Sequence, residues 1–238
     1  MQDLPRKPHP STIRPHDAAT LILVRRDDRQ PRILMGKRHE AHKFMPGKFV
    51  FPGGRVDQGD CRISTEHNLK DEVVGKLMAR MKGKPSVSRA NGIAMAAVRE
   101  TFEEVGFIIG KPGQPPRTRN AAWQQFFSTG HLPDLSGLRL LARAVTPPGR
   151  PRRFDTRFFV AEASVINNLD TPILPDTQEL LAPHWVTLKE ARELDLPWIT
   201  GQILNRLEQA LQQPGAIGEQ RPVTYQFMRG KSWQYVTV

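Results

Sequence analysis

The stretch Arg99-Glu100-Thr101-Phe102-Glu103-Glu104-Val105-Gly106-Phe107 concentrates more chemistry than any other part of the chain. On a helix at 100° per residue, Glu100, Glu103 and Glu104 fall at i, i+3 and i+4 and share one face. Three like charges so placed repel by a few tenths of a kcal/mol per pair in an isolated helix. Arg99 is the neighbouring cation, and one arginine does not balance three carboxylates. A hard divalent cation does: Mg²⁺ takes oxygen ligands and keeps room for waters and substrate phosphates. The other face of the same segment is apolar (Ile93, Ala96, Ala97, Thr101, Phe102, Val105), which predicts a core-anchored helix over 93–105 that stops at Gly106. Upstream, Pro52-Gly53-Gly54 ends an apolar run, Lys48-Phe-Val-Phe51, where glycine lets a backbone come close to a ligand.

The elements that must position these groups follow from hydrophobic periodicity. Ala18–Val24 and Arg32–Met35 read as two strands of a hairpin around the polar turn Arg26–Pro31, and Lys48–Phe51 as a third strand. Residues 61–90 are polar, with a helical pattern in Leu69, Val73, Val74, Leu77, Met78 and Met81, and read as an insertion carrying one helix. Ala121–Phe127 predicts a short helix after the loop Pro112–Pro116. Arg139–Arg143, Phe158–Ala161 and His184–Thr187 predict strands, the first two joined by a basic, proline-rich turn from Thr146 to Arg153. Leu188–Leu194 and Trp198–Gln212 predict helices, and Val223–Phe227 and Trp233–Val238 further strands. Strands, helix, strands, helix is the order of an α/β sandwich. Residues 1–16 read as a flexible basic tail and 17–238 as a single domain.

At the acidic helix the chain resembles the Nudix hydrolase family, whose signature is G-x5-E-x7-R-E-U-x-E-E-x-G-U with U apolar. Arg99–Phe107 matches the second half, with Thr101 at the first apolar position; Gly54–Asp60 matches the first, with Asp60 standing for Glu. Between Asp60 and Arg99 lie 38 residues where the signature has seven, the surplus being the 61–90 insertion; long surface insertions are thermodynamically cheap. A signature split in this way, together with His42-Lys-Phe-Met-Pro-Gly-Lys-Phe-Val-Phe-Pro-Gly-Gly54, is similar to the Nudix 19-type subgroup, whose mammalian members are coenzyme A diphosphatases. The resemblance covers roughly residues 18–190. It implies an α/β/α sandwich with a mixed central sheet and hydrolysis of a diphosphate with Mg²⁺ or Mn²⁺. It also implies Glu103, Glu104 and the Gly54 carbonyl as metal ligands, Glu100 as a further ligand or the water-activating base, and Arg99 as the group that orients the glutamates. Some members draw the base from a later loop, which makes Glu179 the candidate here. Asp57 and Asp60 either reach the metal through water or cap the turn.

The coenzyme-A-cleaving members also carry L-L-T-x-R-[S/A]-x3-R-x3-G-x3-F-P-G-G. This chain keeps that register from Leu34 to Gly54, with Gly36 for Thr, His39 for Ser/Ala and Lys43 for Arg. Arg38, Lys43, Gly53 and Arg153 are the resulting candidates for substrate binding, and Arg150, Arg152, Arg153 and Arg157 around Phe154-Asp-Thr156 read as an anion clamp or a plain basic loop.

Composition bounds the alternatives. Lys and Arg number 35 against 24 Asp and Glu, a formal charge of +11, and this favours anionic partners. A coenzyme A or other nucleoside diphosphate derivative is the expected small-molecule substrate, with ADP-ribose or NADH as the alternative. A nucleic-acid-binding module of the same fold fits the charge and leaves the three glutamates without a use. One cysteine, Cys61, excludes an intrachain disulfide framework and a cysteine-cluster zinc site, and His39 and His42 are too few for a histidine site. The longest apolar run, Ile93–Val98, is far short of the ~18 residues of a membrane span. The N-terminus lacks an apolar h-region, so a cytoplasmic location is expected. Edge strands and the 222–238 tail offer surfaces for a homodimer. Trp123, Trp185, Trp198 and Trp233 read as packing residues, one of them available to stack on adenine.

Overall fold

The structure is a computed structural model and describes residues 13–41, 45–173, 179–213, 215, 217 and 221–238. Its centre is β1 (His16–Arg25), a strand buried on both faces, which is why it reads as a nearly unbroken apolar run. Ala19, Leu21 and Leu23 enter one core cluster, and Ile22 and Val24 the other. β2 (Arg32–Arg38) pairs antiparallel with β1, β3 (Phe49–Val50) with β2, and β4 (Gly53–Arg55) with β1 across Ala18–Thr20. On its other side β1 lies parallel to β8 (Phe154–Glu162), which forms an antiparallel pair with β7 (Arg139–Val145). β9 (Leu180–Thr187) adds to β2. The far edge is the hairpin of β10 (Thr224–Arg229) and β11 (Ser232–Thr237), with β10 parallel to β7. Among the described residues this is one nine-stranded mixed sheet.

Helices cover both faces. α1 (Asp71–Met78), α2 (Val87–Val105) and α3 (Ala121–Phe127) pack on the Ala19–Leu21–Leu23 face through Val73, Leu77, Ile93, Ala97 and Trp123. α4 (Leu188–Glu193) and α5 (Trp198–Leu211) pack on the opposite face through Ala191, Ile203, Leu204 and Leu207. The expected α/β/α sandwich is therefore observed.

Several boundaries differ, for identifiable reasons. α2 starts at Val87, not Ile93, because the Ser86 side chain caps it by accepting from the Arg89 amide. The polar residues Ser88, Arg89 and Asn91 hid those first turns. The stretch expected as a 61–90 insertion thus ends in the helix of the site. Its own helix, α1, sends Val73, Val74 and Leu77 into the main core, with Leu69 and Met81 beside them. β8 begins at Phe154, four residues earlier than expected, because Asp155 and Arg157 point inward as a buried ion network. Arg143 donates to both Asp155 oxygens (2.8 and 2.7 Å), and Arg157 reaches Asp17 (2.5 Å), which Arg89 also holds. Of the expected tail, residues 1–12 lie outside the described residues and His16 already belongs to β1. A small sheet of β5 (Gly110–Pro112) and β6 (His131–Pro133) was not anticipated. Among the described residues no helix is long and apolar enough to cross a membrane.

Candidate active site

β4 lies against the last turns of α2, and two glycines make that approach possible. Gly53 has φ +151°, and a Cβ there would collide with the Ala19 carbonyl and the Thr20 Cα; a Cβ on Gly54 would occupy the space of the Glu100 carboxylate. At this distance the Gly53 amide donates to Glu104 Oε2 at 2.9 Å. Glu100 and Glu104 are 8% and 5% exposed. Burial pushes the Glu100 carboxyl up to about 7, against the pull of Arg99. Burial and the neighbouring Glu100 also hold Glu104 well above the carboxylate range, against the Gly53 amide and the charge of Arg38. Exposed Glu179, at the entry to β9, completes the group: carboxylate oxygens of Glu100, Glu104 and Glu179 lie within 4.8 Å of one another. Three oxygens of this kind, two of them poorly hydrated, match the donor set of a hard divalent cation.

The cluster differs from the expected one in membership. Glu103 is on the flank of α2, where its Oε2 accepts from Arg99 Nη1 at 2.7 Å, and Glu179 takes its place beside Glu100 and Glu104. Arg99 is fully engaged: it donates to Asp60 Oδ1 and Oδ2 (2.8 and 3.0 Å), to Glu100 (2.8 Å) and to the Arg55 carbonyl (3.0 Å). No part of it is left for a substrate, so the geometry is that of a positioning residue. Asp60 is fully buried and also accepts from Trp123 Nε1 (2.9 Å) and the Asp57 amide (2.8 Å). It caps the turn and braces Arg99, and does not face the carboxylate cluster. Trp123 was expected to pack or to be the one tryptophan that stacks on adenine; no local signal in the sequence connects α3 to Asp60. Asp60 and Arg99, 39 positions apart in the chain, therefore meet directly.

The cluster opens into a cavity of about 950 Å³. Gly53, Gly54, Glu100, Glu103, Glu179 and Arg38 line one part; Arg150, Arg152, Trp198, Gln226 and Trp233 line another. Lys43 lies outside the described residues. Arg153 is not at the cavity: its guanidinium donates to the carbonyls of Thr146 (3.1 Å) and Ile13 (2.7 Å), which straps the turn before β8. Arg157 is wholly buried in the ion network on the α2 face. Of the expected four-arginine clamp, only Arg150 and Arg152 reach the cavity.

No protein-family model matches the chain. A Caenorhabditis elegans protein named nudix hydrolase 7 is 29% identical over 185 residues, 73% of this chain and 52% of that protein. The acyl-coenzyme A diphosphatase NUDT19 of Gallus gallus is 26% identical, over 68% of this chain and 55% of its own, and that of Homo sapiens is 25% identical, over 68% and 55%. The crystal structure of a Nudix hydrolase from Alicyclobacillus acidocaldarius superposes with a TM-score of 0.58 at 26% identity, over 82% of this chain and 91% of that one. In sequence and in fold the chain is similar to Nudix hydrolases. It spans about half the length of the curated Nudix relatives it matches. The α/β fold it shares with the Alicyclobacillus acidocaldarius hydrolase supplies the mixed sheet on which β4 is brought against α2.

Proposed function

We propose that the protein is a divalent-metal-dependent diphosphatase that cleaves coenzyme A or acyl-coenzyme A to 3′,5′-ADP and the (acyl-)phosphopantetheine. The observation that carries this reading is the approach of Glu100, Glu104 and Glu179 to within 4.8 Å, with Glu100 and Glu179 lining a cavity large enough for such a substrate. These three side chains would hold Mg²⁺ or Mn²⁺, with the Gly54 carbonyl and Glu103 at the same wall. When bound there, such an ion would supply positive charge against the diphosphate oxygens and lower the pKa of a bound water. Arg38, close enough to Glu104 to lower its proton affinity, sets a fixed positive charge against the diphosphate. Arg99 holds Glu100 and Glu103 in place from behind. The names of the NUDT19 relatives support the choice of substrate, and the +11 charge suits a polyanion.

The test is product release with Mg²⁺ or Mn²⁺: 3′,5′-ADP from coenzyme A against AMP from ADP-ribose, for the wild-type protein and Glu104→Gln. Turnover of coenzyme A that falls at least about a hundredfold in the variant is expected. Faster release of AMP from ADP-ribose would move the substrate to that class. Absence of hydrolysis with either metal, or an unaffected Glu104→Gln, would end the diphosphatase reading.

A further inference from the structure

We infer that the end of the cavity closed by the β10–β11 hairpin is a nucleoside subsite, taking a planar, hydrogen-bond-accepting base on the Trp198–Trp233 pair and its attached phosphate at Arg150 and Arg152. The inference rests on the diphosphatase reading for the rest of the substrate and adds which end of it lies where.

Four features converge. Trp198, at the start of α5, and Trp233, on β11, have ring centroids 5.3 Å apart at 33°, and Trp198 is 54% exposed, so indole surface is open to a further ring. Gln226 on β10 is 2% exposed and lines the cavity floor beside Ala144. Its Oε1 accepts from Arg206 at 3.4 Å, while its Nε2 has no hydrogen-bond partner among the described residues. A buried amide donor without an acceptor is costly, and a base or ribose acceptor seated on the floor would supply one. Arg150 and Arg152 stand exposed on the turn between β7 and β8 at the rim of the same space. The other end of the cavity is of different chemistry, with Met45, Val50 and Phe51 beside the Gly53-Gly54 turn.

A phosphopantetheine arm carries neither ring nor terminal charge at its far end, so it draws nothing from an indole pair and two arginines. A nucleoside phosphate uses all of them. The apolar end by Met45, Val50 and Phe51 is left for the acyl or pantetheine arm, with the diphosphate between at Arg38 and the carboxylates.

Calorimetry without divalent cations tests this directly. Adenosine 3′,5′-bisphosphate is expected to bind more tightly than phosphopantetheine or inorganic pyrophosphate. Trp198→Ala and Trp233→Ala should each weaken it about tenfold, as loss of one base-stacking surface does, while leaving pyrophosphate binding as it was. Gln226→Met should weaken the bisphosphate and spare pyrophosphate. Trp198 is half-exposed, so its variant remains informative if Trp233→Ala does not fold. Bisphosphate bound no better than pyrophosphate, or bound equally by a natively folded Trp198→Ala, overturns the subsite. Tryptophan-dependent bisphosphate binding without cleavage of coenzyme A keeps the subsite and removes the diphosphatase reading. Cleavage of coenzyme A with the KM of Trp198→Ala unchanged does the reverse.

Discussion

Glu100 and Glu104 stand one turn apart with little water around either, so protons and cations compete for the same oxygens. The sign of the pH dependence follows. Burial raises the Glu100 carboxyl from 4.5 in ordinary surroundings to about 7, so between those values the unfolded chain has released a proton that the metal-free folded protein keeps. The stability this group contributes is present below pH 4.5 and is lost as pH rises through about 7. Urea denaturation in EDTA from pH 5 to 8 should show that loss, and Glu100→Gln should flatten it. Divalent cations should reverse the trend, with affinity growing up to about pH 7 and protons released on uptake, readable by calorimetry in buffers of different ionisation enthalpy. The acidic face was legible from spacing alone, since i, i+3, i+4 carboxylates opposite an apolar stripe leave little else to infer. Which of them converge was not. Glu103 turns to Arg99 and Glu179 arrives from the bend just before β9, 75 positions on from Glu104, a choice made by how β9 pairs with β2 and not by anything local.

α2 carries the site because it is fixed at both ends and along its length. Ser86 caps its start, Ile93 to Val98 are buried under the sheet, and Arg99 is gripped by Asp60 near its end. Ser86→Ala should cost about 1 kcal/mol. Asp60→Ala, which strands a buried guanidinium, should cost about 3–5 kcal/mol, and activity should fall with it because Glu100 and Glu103 lose their brace. Trp123→Phe removes only one donor to Asp60 and should cost about 1–3 kcal/mol; thermal denaturation and residual turnover check all three. Leu77→Ala asks whether the segment between Asp60 and Arg99 is a loop ornament or part of the core. Full burial of Leu77 predicts a loss of about 2–5 kcal/mol, where an ornament would lose almost nothing. Helices were the most readable elements here, except where Ser88, Arg89 and Asn91 broke the apolar pattern of the first turns of α2. β8 was misjudged at its start for a related reason: Asp155 and Arg157 are charged residues on an inward face, paired with Arg143 and Asp17, and a period-2 apolar reading passes over them.

Across the whole molecule the excess of 11 positive charges sets a field that gathers anions before any specific contact forms. Raising salt from about 50 to about 300 mM shortens the Debye length from roughly 14 to 6 Å, so KM for a polyanionic substrate should rise several-fold while kcat changes less, as steady-state kinetics at the two salts will show. The α/β class followed from the alternation of apolar runs and helical patterns, whereas strand order did not, because nothing in β1 announces a partner so distant along the chain. That partner is β8, and β7 in turn waits for β10. On the ribosome, then, the first strand emerges long before its parallel neighbour exists, and Glu179, Trp198 and Gln226 follow later still. A nascent chain has no completed cluster before Glu179 and no far cavity wall before Trp233 is made, so activity should appear only in chains that extend past that tryptophan.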